Sequence, residues 1–208
     1  MIGVVDYGIG NLTSAKKSLD YLGVDSKLLT SKEDFKTIGG LVLPGVGAFG
    51  PTMTALEQKG LAEAIVEYVA QGKPYLGICV GMQVLFDSSE ENPGQNGLSL
   101  IQGKVKKLSG EIRIPQMQWN QVHPKSEFTG DKLIENLGNS FWMYFLHSYS
   151  VCPTDESVIR AVCEYGGEIV SYLNKDNIFA VQFHPEKSSS AGLKFMSNFV
   201  DLCQTGGF

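Results

Sequence analysis

The sequence is poor in the residues that build metal sites and disulfide frameworks. Its 4 cysteines form no C-x-x-C pair, and its 3 histidines show neither H-x-x-x-H nor H-x-x-E-H spacing. No apolar run approaches the roughly 18 residues that a membrane span needs, and the first residues lack the basic start of a signal peptide. We therefore expect no metal, no cofactor, no membrane association and a cytoplasmic location.

Positive charge is also scarce. The 17 Lys and Arg residues are outnumbered by 22 Asp and Glu residues, giving a net charge of −5, so the basic excess typical of nucleic-acid-binding proteins is missing. The one dense basic segment has Lys104, Lys106 and Lys107 around Val105, a pattern that predicts the exposed face of a strand. We expect no nucleic-acid partner.

What the sequence does contain is an alternation of short apolar strands and amphipathic helices in its first part. This alternation predicts an α/β fold, an open and mainly parallel sheet with helices on both faces, and strands with little helix between them predict an antiparallel-rich second half. We expect one domain over residues 1–208. The predicted strands are Ile2–Val5, Val24–Leu29, Leu41–Leu43, Pro74–Ile78, Lys104–Leu108, Gln116–Val122, Phe141–Leu146, Val158–Val162, Ile169–Leu173 and Phe179–Phe183.

Cys79 lies in the sharpest local motif. Gly77-Ile78-Cys79-Val80-Gly81 has the G-x-nucleophile-x-G form of a nucleophile elbow, with cysteine where many hydrolases have serine. A strand that turns sharply into a helix leaves no room for a Cβ on either side of the nucleophile. The helix start also favours a thiolate and supplies N–H groups for an oxyanion. A buried structural cysteine is the alternative interpretation, and we adopt it for Cys152, Cys163 and Cys203.

His184 and Glu186 supply a candidate base and its orienting acid. In an extended segment residues i and i+2 project to the same side, and Pro185 favours extended geometry at His184. Glu186 is then placed to fix the tautomer of the imidazole, the third role in a catalytic triad. A surface His–Glu pair is the alternative. The acid follows the histidine here, which argues against the esterase and lipase order of nucleophile, acid and histidine.

These motifs resemble those of a known enzyme family. Residues 77–83 (GICVGMQ) and 182–188 (QFHPEKS) resemble the signatures of class I, or triad, glutamine amidotransferases, which have a flavodoxin-like fold. Within that family, three further segments are similar to the HisH group, the glutaminase subunits of imidazole glycerol phosphate synthases. These segments are residues 6–12 (DYGIGNL), 43–49 (LPGVGAF) and 145–149 (FLHSY).

The resemblance implies a role for each matching residue. Cys79 would be the nucleophile, His184 the general base and acid, and Glu186 the orienting carboxylate. The oxyanion donors would come from Val80 and from the loop with Val46 and Gly47, where glycines permit a peptide flip. The implied glutamine-binding residues are Gln83, Glu91, His147, Ser148 and Tyr149, with His147 acting through its backbone segment rather than as the base.

The resemblance also implies a partner, because free glutaminase activity wastes glutamine. That partner is a cyclase of (β/α)8 barrel fold, which uses ammonia to form imidazole glycerol phosphate and an aminoimidazole carboxamide ribotide in histidine biosynthesis. The two chains would form a heterodimer. The residues that match family positions near the subunit interface are Asn11, Trp119, Tyr144 and Lys187.

One segment departs from the family pattern and leaves the acceptor of the ammonia open. The family reads Pro-His-Met-Gly-Trp-Asn where this chain has glutamine at 116 and 118. A paralogue that supplies ammonia to a surface-polysaccharide sugar amidotransferase is therefore the second hypothesis. A stand-alone cysteine hydrolase and a catalytically silent interaction subunit are more remote. The hydrolase would not need Gln83 or the His147 segment, and the silent subunit would not need an intact triad.

Overall fold

The computed structural model describes residues 1–9, 12–126 and 130–206, which form strands β1–β12, helices α1–α5 and several short 3-10 turns. The helices are α1 Leu12–Tyr21, α2 Phe49–Gln58, α3 Leu61–Ala70, α4 Val80–Gln83 and α5 Ser189–Thr205. The strands are β1 Ile2–Val5, β2 Ser26–Leu29, β3 Gly40–Leu43, β4 Tyr75–Ile78, β5 Ser88–Ser89, β6 Gly103–Lys107, β7 Gln116–Pro124, β8 Phe141–His147, β9 Tyr149–Pro153, β10 Ile159–Glu164, β11 Glu168–Lys175 and β12 Ile178–Val181.

The central sheet has nine strands in the order β2-β1-β3-β4-β12-β11-β10-β7-β8. The half from β2 to β12 is parallel, and every pairing from β12 onward to β8 is antiparallel. Strands β1, β3, β4 and β12 are buried along their whole length, as expected for a sheet covered on both faces. The predicted α/β fold with an antiparallel second half is confirmed.

Helices cover both faces of the sheet, and the sheet separates the apolar core into two layers. One core contains Phe49 and Met53 of α2 and Leu61 of α3, whereas the other contains Leu19 of α1 and Phe199 of α5. In the part of the chain that the structure describes, no helix combines the length and apolar character needed to cross a bilayer.

The parallel strands bring their carboxyl ends to one edge of the sheet. β12 is paired with β4 so that Val181 lies opposite Ile78, and β3 is paired with β4 so that Leu43 lies opposite Gly77. Ligands of open α/β sheets bind beyond this edge. Cys79, His184 and the loop that follows Leu43 therefore meet there.

A second sheet of three strands, in the order β5-β6-β9, lies beside the first. The chain passes from the main sheet to this one at Ser148, the single residue between β8 and β9. The carbonyl of Ser148 accepts a hydrogen bond from the Leu108 amide at 2.9 Å, which anchors the switch. The segment His147–Tyr149 therefore lies at the boundary between the two sheets and is hydrogen-bonded there through Ser148.

The structure differs from the sequence prediction in the helix after β3. In the sequence, Leu61, Ala64, Ile65 and Tyr68 predict one longer helix after the loop of residues 44–47. In the structure, Lys59 and Gly60 separate α2 from α3, and Gly60 has a positive φ of 65°. A left-handed residue ends the helical hydrogen-bonding ladder. The sequence after Cys79 also predicts a helix around residues 80–86, but α4 makes only a single turn there.

Candidate active site

The nucleophile elbow is present at Cys79, between β4 and α4. Cys79 has φ 55° and ψ −107°, which is strained for a residue other than glycine. A Cβ at Gly77 would collide with the carbonyl oxygen of Gly81, and a Cβ at Gly81 would collide with that of Leu43. Both flanking glycines are thus required by close backbone contacts. These contacts hold the sulfur at the start of α4.

His184 follows β12 and is completely buried. Its Nδ1 lies 2.8 Å from Oε1 of Glu186, whose side chain is 4% exposed, and its main-chain N–H donates to the Tyr144 carbonyl at 2.9 Å. The other ring nitrogen, Nε2, is buried without a hydrogen-bond partner. The Cys79 sulfur lies close enough to the imidazole to raise its pKa. The structure therefore brings Cys79, His184 and Glu186 together.

The electrostatics of this cluster favour a proton on His184. Burial alone lowers the pKa of His184, but the neighbouring charges of Cys79 and Glu186 outweigh it and raise the pKa to about 10. A protonated imidazole beside the sulfur favours the thiolate, which is the nucleophilic form of cysteine. The arrangement can therefore deliver a nucleophile and a proton to the same functional group of a substrate.

The loop after β3 lies against the start of α4. A Cβ at Gly45 would collide with the side chain of Val80 and the hydroxyl of Tyr7, whereas one at Gly47 would make only ordinary contacts. Tyr7 donates a hydrogen bond to the Pro44 carbonyl at 3.1 Å, which fixes the beginning of the loop. Neither glycine has a positive φ here. The peptide flip and the donor roles of Val80, Val46 and Gly47 stay predictions.

The carbonyl oxygen of Tyr149 brings together two of the residues expected to bind glutamine. Gln83 Nε2 donates to it at 2.9 Å, and His147 Nδ1 lies 2.9 Å from it. Cys79 Sγ lies 3.7 Å from the neighbouring Leu146 carbonyl oxygen. Gln83 and the His147–Tyr149 segment are therefore next to the sulfur.

Glu91 lies on the other side of the site, at the start of α2. Its Oε2 accepts a hydrogen bond from the Phe49 amide at 2.8 Å, and Oδ1 of Asn92 accepts one from the Gly50 amide at 2.8 Å. An open cleft of about 780 Å³ passes beside Glu91 and Asn92. The cleft reaches Glu91, one of the predicted glutamine-binding residues, but the triad does not line it.

His147 is a neutral, structural histidine. Burial, with a smaller contribution from His184, lowers its pKa to about 4. Nδ1 lies 2.9 Å from the Tyr149 carbonyl oxygen, and Nε2 lies 2.8 Å from Oε1 of Gln116. A neutral ring that donates from Nδ1 accepts at Nε2, so neutral His147 needs the Gln116 amide turned to present its nitrogen. Gln116 is fully buried, so one of the two departures from the family pattern is part of this pair.

Two of the four predicted interface residues, Trp119 and Tyr144, lie on the outer face of β7 and β8. Trp119 is paired with Tyr144, and their rings make an edge-to-face contact at 6.3 Å. Two exposed apolar side chains that the sequence prediction missed, Met117 (64% exposed) and Trp142 (55% exposed), extend this face. Lys187 is half-buried in the turn after His184, and Asn11 lies outside the described residues.

Two further results concern side chains that the sequence did not single out correctly. Gln182 is fully buried, and its Nε2 lies 3.6 Å from Cys79 Sγ. Its position directly after β12, two residues before His184 at the carboxyl edge of the sheet, is the signal that could have identified it. Cys152 is exposed rather than buried, because its side chain points away from the core on β9.

Within the described ranges, no group of three or more His, Cys, Asp and Glu could hold a metal ion.

Comparison with protein families gives a match along almost the whole chain. The model for "Glutamine amidotransferase class-I" matches residues 3–202. Curated relatives include proteins named "Imidazole glycerol phosphate synthase subunit HisH". The one from Desulfitobacterium hafniense is 42% identical over 199 residues, covering 96% of this chain and 93% of the relative. The one from Trichodesmium erythraeum is 45% identical over 204 residues, with coverages of 96% and 93%.

Solved structures agree at the level of the fold. A structure described as "Crystal structure of glutamine amidotransferase" has a TM-score of 0.77 at 20% identity and covers 98% of both chains. PurLQS from Thermotoga maritima has a TM-score of 0.76 at 19% identity, with coverages of 96% and 97%. At these identities the likeness concerns the architecture alone.

Proposed function

Because the chain belongs to the class I glutamine amidotransferase family, we propose that it hydrolyses L-glutamine to glutamate and ammonia and passes the ammonia to a cyclase partner. The reaction is that of imidazole glycerol phosphate synthase in histidine biosynthesis. The observation that carries the proposal is the cluster of Cys79, His184 and Glu186 at the carboxyl ends of β4 and β12. Near-full-length relatives named HisH support the pathway.

The first half of the reaction uses the thiolate and the protonated imidazole. The Cys79 sulfur attacks the γ-carboxamide carbon of glutamine, and the carbonyl oxygen becomes an oxyanion held by backbone N–H groups. We assign these donors to Val80 and to the loop with Val46 and Gly47. When the C–N bond breaks, His184 gives its proton to the leaving nitrogen, so ammonia departs and a glutamyl thioester remains.

The second half returns the enzyme to its starting state. His184, now neutral, takes a proton from water while the water oxygen attacks the thioester carbon. The C–S bond breaks, glutamate leaves, and the sulfur departs as the thiolate beside the reprotonated His184. Glu186 keeps Nδ1 protonated throughout, so that Nε2 is the nitrogen that exchanges the proton with the reactants.

Glutamine must also be held at its α-carbon end. We assign that binding to Gln83, Glu91 and the His147–Tyr149 segment. The carboxylate of Glu91 suits the α-ammonium group, and polar groups of the segment suit the α-carboxylate. The open cleft beside Glu91 supports this assignment, because it makes that carboxylate accessible from outside the protein.

The names of the relatives describe a subunit, which supports a partner chain. We propose a cyclase of (β/α)8 barrel fold that docks on the outer face of β7 and β8, around Trp119 and Tyr144. The exposed Trp142 and Met117 support this surface, because aromatic residues and methionine are enriched in interfaces. Tyr144 also accepts the main-chain hydrogen bond of His184, so this face lies directly behind the triad.

The cytoplasm is the compartment we propose for this reaction. Cys79, Cys152, Cys163 and Cys203 are all unpaired in the structure, and thiols are kept reduced in that compartment. The whole chain acts as one domain in this proposal.

Glutamate release from glutamine tests the proposed function. The chain is assayed alone and then with a cyclase subunit of imidazole glycerol phosphate synthase from the same source and that cyclase's ribonucleotide ligand, with Cys79→Ala as the blank. We expect low release alone and strong release in the complex. Release that the cyclase does not change would contradict the histidine-pathway partner and favour a sugar amidotransferase as the acceptor. Release that persists in Cys79→Ala would contradict the nucleophile.

A further inference from the structure

The carbonyl oxygen of Tyr149 fixes the orientation of a buried side-chain amide. A carbonyl oxygen only accepts hydrogen bonds, so the Gln83 side chain, 2.9 Å away and 4% exposed, must face it with its nitrogen. The reverse orientation would place two acceptors against each other with no water between them. The direction of the Gln83 amide is therefore set by the backbone.

The same reasoning passes from Gln83 to Gln182. The Gln83 nitrogen also lies 3.1 Å from Oε1 of Gln182, so the oxygen of the Gln182 amide is turned towards Gln83. The Gln182 nitrogen then faces the opposite way, 3.6 Å from Cys79 Sγ. The main-chain N–H of Gln182 donates to Ser171 at 3.0 Å, which fixes the strand from which the side chain extends.

The sulfur of Cys79 therefore lies between two groups of opposite character. The Leu146 carbonyl oxygen, 3.7 Å away, can only accept, so it suits the neutral thiol. The Gln182 amide can only donate at this contact, so it suits the thiolate. The titratable groups that act on the sulfur are His184, with Glu186 behind it, and the neutral Tyr7; the neutral His147 lies beside His184. Among these surroundings, Gln182 is a fixed donor that carries no charge.

We propose that Gln182 is a catalytic residue that stabilises the Cys79 thiolate by donating a hydrogen bond to it, with its orientation set through Gln83 by the Tyr149 carbonyl. The inference rests on the proposed role of Cys79 as nucleophile. It adds a second source of thiolate stabilisation to the charge of His184. It also gives Gln83 a task besides contact with glutamine, because Gln83 sets which end of the Gln182 amide reaches the sulfur.

Alkylation of Cys79 by iodoacetamide as a function of pH tests this role in the full chain. The Gln182→Met variant keeps the size of the side chain and removes the donor, and Gln182→Glu replaces the donor by an acceptor. We expect the midpoint of the rate profile to move upward by about one pH unit in Gln182→Met and at least as far in Gln182→Glu. Peptide-resolved mass spectrometry separates Cys79 from the exposed Cys152.

Two further variants make the test decisive. Gln83→Met leaves Gln182 in place but frees its amide to rotate, so a smaller upward shift is expected. The same substitution at the exposed Gln102 is the matched control and is expected to change nothing. An unchanged midpoint in Gln182→Met with native circular dichroism overturns the proposal. If Gln182→Met fails to fold, an unchanged midpoint in Gln182→Glu or in Gln83→Met overturns it instead.

The readout separates this proposal from the proposed function. Alkylation reports on the thiolate whether or not glutamine is hydrolysed. A shifted profile in a chain that releases no glutamate with the cyclase would support the role of Gln182 while contradicting the amidotransferase reaction with that partner. An unshifted profile with normal glutamate release would contradict the role of Gln182 while supporting the amidotransferase reaction.

Discussion

Glu186 and His184 form a buried hydrogen bond of 2.8 Å in which the carboxylate reaches only Nδ1 of the imidazole. The second carboxylate oxygen of Glu186, Oε2, is also buried and has no partner. A carboxylate in this position can orient the ring and stabilise its charge, but it does not exchange a proton with the substrate. This division of labour sets the order of two mutational effects.

We expect Glu186→Gln to lower kcat for glutamine hydrolysis by about 10–100-fold and His184→Ala to lower it by about 1,000-fold or more. The reason is that the first change weakens orientation, whereas the second removes the proton donor. Steady-state kinetics of the complex with the cyclase measure both. Equal losses in the two variants would show that Glu186 takes part in proton transfer.

Replacement of Cys79 is expected to change the charge state of His184. Burial lowers the pKa of His184, and the charge of the sulfur and of Glu186 raises it to about 10. In Cys79→Ala only Glu186 opposes burial, so the pKa falls. Histidine 15N chemical shifts followed from pH 5 to 10 measure it. Cys79→Ser is the matched control and should behave like Cys79→Ala, because a hydroxyl carries no charge; a pKa that stays near 10 in both variants would rule out the ion pair.

His147 is expected to make the chain sensitive to acid. Its folded-state pKa of about 4 lies below the ordinary value of 6.5, so the unfolded chain binds the extra proton between these limits. The stability that neutral His147 provides is complete above pH 6.5 and is lost as the pH falls towards 4. Between pH 7 and pH 5 the loss is about 2 kcal/mol from this residue.

Urea unfolding at both pH values measures this effect. His147→Asn should remove about that much of the pH dependence of the free energy of unfolding. The same substitution at the exposed His123 should leave the dependence unchanged. If the two variants keep the same pH dependence, His147 is not the group that titrates.

Gly81 tests the elbow itself. Since a Cβ there would collide with the Leu43 carbonyl, Gly81→Ala should lower the free energy of unfolding by about 1–3 kcal/mol and reduce glutamine hydrolysis. Gly39→Ala is the control, because a Cβ at that position would only reach the Met1 carbonyl at 4.0 Å. Chemical denaturation of the two variants provides the comparison, and similar stabilities would contradict the close approach.

Trp119 tests the partner surface. Its indole is 44% exposed beside Tyr144, so Trp119→Ala should raise the Kd for the cyclase by about tenfold or more with little effect on stability. Leu28→Ala, at an exposed apolar residue on the opposite edge of the sheet, should leave the Kd unchanged. Calorimetric titration distinguishes these outcomes; an unaltered Kd in Trp119→Ala would place the partner elsewhere.

Local features of the site could be predicted from the sequence because their causes are local. Gly77 and Gly81 predict the elbow, because the close backbone contacts on both sides of Cys79 leave room only for glycine. Pro185 predicts the extended conformation that His184 has, but the extended geometry expected as far as Glu186 is wrong, because residues 185–187 form a 3-10 turn and this turn brings Glu186 beside the imidazole. The parallel strands follow from short apolar runs that are buried on both faces.

Features that depend on contacts between distant residues could not be predicted from the sequence. The Phe49 amide meets Glu91 across 42 residues, and Gln182 meets Cys79 across 103, and no spacing rule predicts either contact. The strand β9 was missed because Tyr149–Pro153 has no clear alternation and pairs only with β6 of the small sheet. Helix α4 is a single turn because the carbonyls of Val84 and Leu85 accept hydrogen bonds from the distant Leu98 and Leu100 amides, and the chain then continues into β5.

Strand β8 serves two tasks with alternate residues. Phe141, Met143, Phe145 and His147 point inward, and Trp142, Tyr144 and Leu146 point outward. Residues on one side can therefore change without altering the other. Along β8, adaptation to a new acceptor enzyme would then change the outward positions, while the inward residues beside the ammonia-releasing site are inherited unchanged.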